Sequence, residues 1–426
     1  MIHQNMFKIL QQELVVALGC TEPVAIALAS ATAKKYLHNK VNDIQVKVSG
    51  NILKNAKAVG IPGMKSTGID FAAAIGFVAG NPDKKLEVLE KLTIEDEVKA
   101  INLIQTGIIT VLIADSPKKL YIELFVKSEN ETVKVVIEDN HSNIVLIERN
   151  GTVIFQGGCE HIGLLSDDDA LTGVNIASIF EFITTVNPIK LDLVKKSIEL
   201  NKTIGLEGLA NSYGLSVGRT IKENVERGYL SDDLATRAMS LAAAGSDARM
   251  AGSTLPVMAN TGSGNQGIAV TLPVVAVAEK LEVDQDTMVR AVALSHLLTI
   301  HIKSKFGRLS ALCGVTAAGM GASGAIAYLL GGELTEVEAA VQNTIGNITG
   351  MICDGAKAGC AMKVSTCSNV AVQSALLALN NKKIQSTDGF IHNDVEKSIE
   401  SFCKLGNQGT LQTDQLILEL MLEKKQ

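Results

Sequence analysis

Tryptophan is absent from the 426-residue chain, and aromatic residues make up only 4% of it although 46% is hydrophobic. With so few rings the core must be filled by Ala, Val, Ile and Leu, the composition of close-packed helices. Charge blocks are missing too: a formal net charge of -6 is spread without long acidic or basic runs, which gives nucleic acid or an anionic membrane surface no footprint. The start, "MIHQNMFKILQQEL", lacks the basic segment and unbroken apolar stretch of a secretory signal, so a cytoplasmic location is expected. The apolar window "GVTAAGMGASGAIAYLLGG" (Gly314 to Gly332) approaches the roughly 20 residues of a membrane span. Its glycines and the nearby Lys305 and Arg308 suit a buried helix better, so no membrane partner is expected.

The chain exceeds the size, roughly 250 to 300 residues, at which a single core stops growing. Residues 4–18 and 22–38 read as two helices, the second with Thr21 as cap and Pro23 in its first turn. Strand-period alternation begins at "DIQVKVSG" (Asp43 to Gly50). It resumes between Ile108 and Phe155 in four runs separated by turn residues, which predicts a largely antiparallel sheet. After Asp169 the pattern is helical nearly to the end. The expected class is therefore α+β. A smaller α/β module spans residues 41–168, a large, mostly α-helical catalytic domain spans 169–426, and the helices of residues 1–40 pack on the latter. Runs of small residues permit close helix packing and suggest a homodimer.

Seven cysteines, an odd number, in a large chain with no secretory signal argue against a disulfide framework. They leave metal binding or thiol chemistry beside plain apolar packing. The zinc-ribbon CxxC spacing is missing, and no histidine lies near the late cysteines. Thr335 and Glu338 form a capping-box signature for a helix ending near Asp354–Gly355, so Cys353 falls at a helix C-terminus. Cys360 falls at the start of the next helix, where the helix end stabilises a thiolate. Cys367 lies about 10.5 Å further along that helix and reads as packing. Cys313 is the candidate third ligand, with buried packing its alternative.

"GSGNQG" (Gly262 to Gly267) fits a dinucleotide-binding pattern. The proline-bearing "STLPVMANT" before it is a poor central strand, however, and no acidic residue follows at a strand tip. Two readings stay open: backbone N–H groups at a helix N-terminus holding a carboxylate, or a tight turn between helices.

Together, "LGCTEPVA" (18–25), "TGSGNQG" (261–267), "LSALCGVTAAG" (309–319) and "GMICDGAKAGCAMKV" (350–364) resemble the iron-sulfur L-cysteine desulfidases. These are pyridoxal-independent enzymes related to the alpha chain of bacterial iron-sulfur L-serine dehydratases. The resemblance implies a [4Fe-4S] cluster on Cys313, Cys353 and Cys360 with one iron open, no pyridoxal phosphate, and Cys20 as catalytic acid/base. It implies that Ser263, Gly264, Asn265 and Gln266 contact a small amino-acid substrate, and more loosely that Lys65, Ser66 and Thr67 of "MKSTG" hold its carboxylate. The implied reaction is α,β-elimination of L-cysteine to sulfide, ammonia and pyruvate. The alternatives are the same elimination on L-serine or another β-substituted amino acid, or a non-catalytic iron-sulfur redox sensor. A thiol just before a helix N-terminus is expected to have a lowered pKa. Glu22 is the competing base, with a bland role as first-turn charge. His296 and His301 read as packed or surface residues rather than ligands.

Overall fold

The computed structural model describes residues 2–64, 66–157, 171–306 and 311–424. The chain begins α1 (Ile2–Glu13), β1 (Leu14–Leu18), α2 (Thr21–Tyr36), β2 (Asp43–Val48), α3 (Gly50–Ala56), α4 (Ile69–Ala79) and α5 (Ile94–Gln105). Strands β3 (Ile109–Ile113), β4 (Tyr121–Lys127), β5 (Thr132–Glu138), β6 (Ile144–Arg149) and β7 (Thr152–Gln156) follow. Next come α6 (Ile176–Thr185), α7 (Asp192–Ala210), α8 (Val217–Glu226), α9 (Leu234–Met250), β8 (Pro256–Asn260), α10 (Gly264–Lys280) and α11 (Gln285–Phe306). The described chain closes with α12 (Gly314–Leu329), α13 (Leu334–Ile348), α14 (Cys360–Leu379), α15 (Val395–Lys404) and α16 (Leu411–Glu423). The class is α+β. Among the described residues no helix is long and apolar enough to cross a membrane.

Two hydrophobic cores account for most of the burial. In the smaller, strands run in the order β3-β2-β4-β5-β6-β7. All pairs are antiparallel except β2 with β3, so the sheet is mixed. The exception follows from connectivity: α3, α4 and α5 lie between β2 and β3 in sequence, and parallel neighbours need such a crossover. Alternate residues Ile44, Val46 and Val48 of β2, with Ile122, Leu124 and Val126 of β4, enter the core. Against that face lie α4 and α2, the latter buried from Thr21 through Ala33. The larger core joins α1 to helices from α6 through α15. The N-terminal helices therefore divide, which differs from the expectation that residues 1–40 pack together on the helical domain. The amphipathic α1 enters the larger core; α2, buried all round from Thr21 to Ala33, is covered mainly by the smaller one.

Other elements also depart from the sequence reading. Residues 14–18 are a strand rather than the end of a helix. Val15 and Val16 favour extended backbone, and β1 pairs antiparallel with β8, Leu14 opposite Asn260 and Leu18 opposite Pro256. The proline-bearing segment is thus half of a two-stranded ribbon, with Pro256 at its first position, where a missing N–H is tolerated. Helix α8 carries Val217, Ile221 and Val225 along one side of an otherwise polar helix and buries only Gly218 fully. Helix α13 ends at Ile348, and its capping carboxylate is Glu336, which accepts from Glu333 N–H at 2.9 Å.

Candidate active site

Between the two cores lies a cavity of about 110 Å³, large enough for several waters. It is lined by the starts of α2 (Cys20, Thr21, Glu22), α10 (Ser263, Asn265, Gln266), α12 (Cys313, Gly314, Val315) and α14 (Cys360). Cys20 and Cys313 are the N-cap residues of α2 and α12; Ser263 caps α10, its hydroxyl accepting from Gln266 N–H at 3.3 Å. Four positive helix ends facing one space favour anions within it. Asn51, Asn55, His141, Arg249, Lys303 and Cys353 complete most of the wall.

The joint holding Cys20 is sterically fixed. Gly19 turns from β1 into α2 at φ 69°, and a Cβ there would sit 2.4 Å from Pro62 Cγ. The Cys20 thiol donates to Glu22 Oε2 at 3.0 Å. Glu22 also accepts from the Thr21 hydroxyl at 3.1 Å and from Asn55 Nδ2 at 3.0 Å, and His141 Nε2 lies 3.8 Å from its Oε1. Burial works to raise the Glu22 pKa, but His141 and the Cys20 hydrogen bond outweigh it and hold the carboxyl well below the usual range. Burial, with the Glu22 charge behind it, pushes the Cys20 thiol up. The dipole-lowered thiol expected from sequence is corrected: a helix end contributes about 0.3–1 kcal/mol, too little against burial beside a carboxylate.

Cys313 and Cys353 are brought together by a β-bridge between Leu312 and Ile352. Cys313 N–H donates to Met351 O at 2.9 Å and Cys353 N–H to Ala311 O at 2.6 Å. Cys353 lies in this loop, beyond the end of α13. The neighbouring Cys313 and Cys353 thiols influence one another, which favours the charge on Cys353 and disfavours it on Cys313; Lys54 further favours a Cys353 thiolate. Lys54 Nζ is 3.3 Å from Cys353 O and 2.5 Å from Asp414 Oδ1. Cys360, the first residue of α14, packs against Cys20, Val59 and Met250, and its pKa is raised by burial. Among the described residues no group of three His, Cys, Asp or Glu side chains surrounds a single-ion position. A cluster with several irons would be held by thiolates that need not meet at one ion. Three soft thiols lining one cavity, with lysines near Cys353 and Cys360, are the donor type that suits an iron–sulfur cluster.

Residues 83–419 match the family model described as serine dehydratase alpha chain. The chain belongs to that family. Members of the UPF0597 proteins align along nearly the whole chain. That of Oleidesulfovibrio alaskensis is 44% identical over 98% of this chain and 97% of its own. Those of Aeromonas hydrophila (42%; 98% and 96%) and Actinobacillus pleuropneumoniae (39%; 99% and 98%) are similar to it over comparable lengths. The family-model match takes in Arg249, the "GSGNQG" turn and the three late cysteines; Cys20, Glu22 and Asn55 precede it.

In this serine dehydratase alpha chain relative, Ser66 and Thr67 do not line the cavity. Ser66 N–H and its hydroxyl both donate to Glu97 Oε1, at 3.1 and 3.0 Å, and Thr67 bridges to Gly60. Lys65 lies outside the described residues. Gly264 serves less as a donor than as space, since a Cβ there would stand 2.3 Å from Arg249 Nε. Gln266 is held by Asn260 Oδ1 at 2.9 Å, and Asn260 Nδ2 in turn donates to His296 Nδ1 at 3.0 Å. That bond makes Nδ1 the acceptor, so Nε2 carries the proton toward Ser197 Oγ at 2.8 Å. Burial takes the His296 pKa down to about 3. His301 pairs with Glu396 at 2.7 Å. Cys367, against Met351 Sδ at 3.8 Å, and Cys403, donating to Ile302 O at 3.5 Å, are buried and do not line the cavity.

Asn55, His141 and Arg249 escape a reading from sequence. His141 sits in a polar turn that looks like surface yet is 4% exposed. Arg249 carries the available signal: a charge inside "LAAAGSDARMAG", where small residues announce burial.

Proposed function

We propose that the protein is an iron–sulfur lyase that eliminates the β-substituent of a small α-amino acid, with L-cysteine as substrate. The observation that carries this reading is that Cys20, Cys313, Cys353 and Cys360 line one cavity although they are scattered along the sequence. Cys313, Cys353 and Cys360 would hold a [4Fe-4S] cluster, which when bound supplies a Lewis acid to the β-substituent through its open iron.

The chain supplies the rest. Ser263 and Asn265, with the backbone N–H groups at the start of α10, bind and orient the carboxylate end. The Cys20–Glu22 pair, joined by a thiol-to-carboxylate hydrogen bond of 3.0 Å, takes up the α-proton on the Glu22 carboxylate. The Cβ–S bond then breaks, its electron pair leaving on sulfide; aminoacrylate tautomerises to the imine and adds one water to give pyruvate and ammonia. Burial of Glu22 and Cys20 keeps this exchange away from bulk solvent.

The family match favours a second substrate, L-serine, by the same elimination with water leaving. Thiolate is the better leaving group and a better ligand for iron, which supports cysteine. Anaerobic reconstitution with iron and sulfide, followed by parallel assays of sulfide from L-cysteine and pyruvate from L-serine, tests the reading. Sulfide release that depends on the cluster is the expected result. A protein that binds zinc at Cys353 and Cys360 and turns over neither amino acid would overturn it.

A further inference from the structure

The cavity contains a cation that the cluster cysteines and the "GSGNQG" turn leave unexplained. Arg249, at the end of α9, is 3% exposed and lines the cavity. Its Nε has no hydrogen-bond partner, and no carboxylate among the described residues forms an ion pair with its guanidinium. Burying a guanidinium without a counter-charge is costly, so an anion belongs beside it. Its position narrows the choice. The guanidinium lies over the Cα of Gly264, where only the missing side chain makes room. It thus adjoins the first turn of α10, next to Ser263 and Asn265. Asn265 Oδ1 is already taken by the Ser246 hydroxyl at 3.3 Å, which leaves its amide nitrogen as a donor. Glu22 and Asn55 give the cavity an acceptor-rich wall as well, with Asn55 Oδ1 unpartnered. A cationic wall and an acceptor wall around one small space match a zwitterion.

We propose that Arg249 is the carboxylate anchor of this site, held in place by Gly264, and that it selects α-amino acids over amines and amino-acid amides. The proposal rests on the lyase reading for the site and specifies how that site recognises its substrate class. A planar guanidinium can bind a carboxylate through two parallel N–H···O bonds, which fixes orientation as well as charge.

The test uses L-alanine, which has no β leaving group, and L-alaninamide, which has no carboxylate, as probes in calorimetric titration of the reconstituted full chain. The wild-type protein should bind L-alanine at least about tenfold more tightly than the amide. Arg249→Gln should weaken L-alanine by about 10- to 100-fold, leave the amide nearly unchanged and retain the iron. Gly264→Ala is the second variant. Its new methyl displaces the end of a flexible side chain rather than backbone, so the fold survives and the same loss of preference is expected even if Arg249→Gln does not fold. Retention of the wild-type preference in a folded variant overturns the proposal, as does loss of iron with that preference intact, which would make Arg249 a counter-charge for the cluster. Sulfide release by the wild-type protein is measured alongside. Release with the preference unaffected by the variants removes the anchor and leaves the lyase reading; loss of preference without wild-type release does the reverse.

Discussion

Replacing Gly19 by alanine tests whether the turn ahead of Cys20 is as tightly constrained as its geometry requires. At φ 69° an L-residue with a side chain costs about 1–2 kcal/mol. The new Cβ would also fall 2.4 Å from Pro62 Cγ and 2.8 Å from Cδ, and a proline ring cannot swing aside as a flexible chain can. Overpacking of this kind costs typically 1–3 kcal/mol, so the two effects together come to about 2–5 kcal/mol, a large part of the 5–15 kcal/mol that keeps a typical protein folded. Gly107 supplies the control: it has φ 75° and nothing within 4 Å of where its Cβ would be, so alanine there meets the backbone cost alone. With a urea slope of about 3 kcal/mol per M, Gly19→Ala should lower the unfolding midpoint followed by far-UV circular dichroism by roughly 1 M. Gly107→Ala should lower it by less than half as much. Because Cys20 follows directly, a displacement of about 1 Å in surviving Gly19→Ala protein should cut sulfide release about 100-fold. Equal midpoint shifts for the two variants would refute the argument.

His296 stays neutral inside the larger core because burial lowers its pKa from 6.5 to about 3. The unfolded chain takes up the proton first, so this contribution to stability is present above pH 6.5 and is lost as the pH falls toward 3. His296→Gln should flatten the dependence of the urea midpoint on pH in that interval; an unchanged slope would show that the buried imidazole is not its source. Cys367→Ala and Cys403→Ala should each cost about 1 kcal/mol as small core truncations while keeping the wild-type iron content on reconstitution. Iron lost from either variant would place that thiol at the cluster.

The α+β class was legible in the sequence because it depends on local periodicity, whereas the set of cysteines came from the resemblance to a known family and not from their spacing. What was hidden arises from long-range pairing. The ribbon of β1 with β8 joins residues 14–18 to 256–260, and neither five-residue run declares itself a strand without the other. The bridge between Leu312 and Ile352 similarly decides where Cys353 lies, so reading a helix on to Asp354 misplaces it. The sign of the Cys20 shift was missed because a helix dipole can be read from the position of a helix start, whereas burial and the orientation of Glu22 cannot. Ser66 matches a motif by residue type, yet its hydroxyl is committed to Glu97; type alone does not reveal direction.

In the proposed reaction Cys20 acts beside a cluster that Cys313, Cys353 and Cys360 hold, rather than holding it. The most direct measurement compares iron content and sulfide release in anaerobically reconstituted Cys20→Ala and Cys360→Ala protein. Cys20→Ala should keep the wild-type iron content and the broad cluster absorption while sulfide release falls by about 10²- to 10⁴-fold, and Cys360→Ala should lose iron and activity together. Loss of iron from Cys20→Ala would make Cys20 a ligand, and wild-type turnover by it would remove Cys20 from the proton transfer.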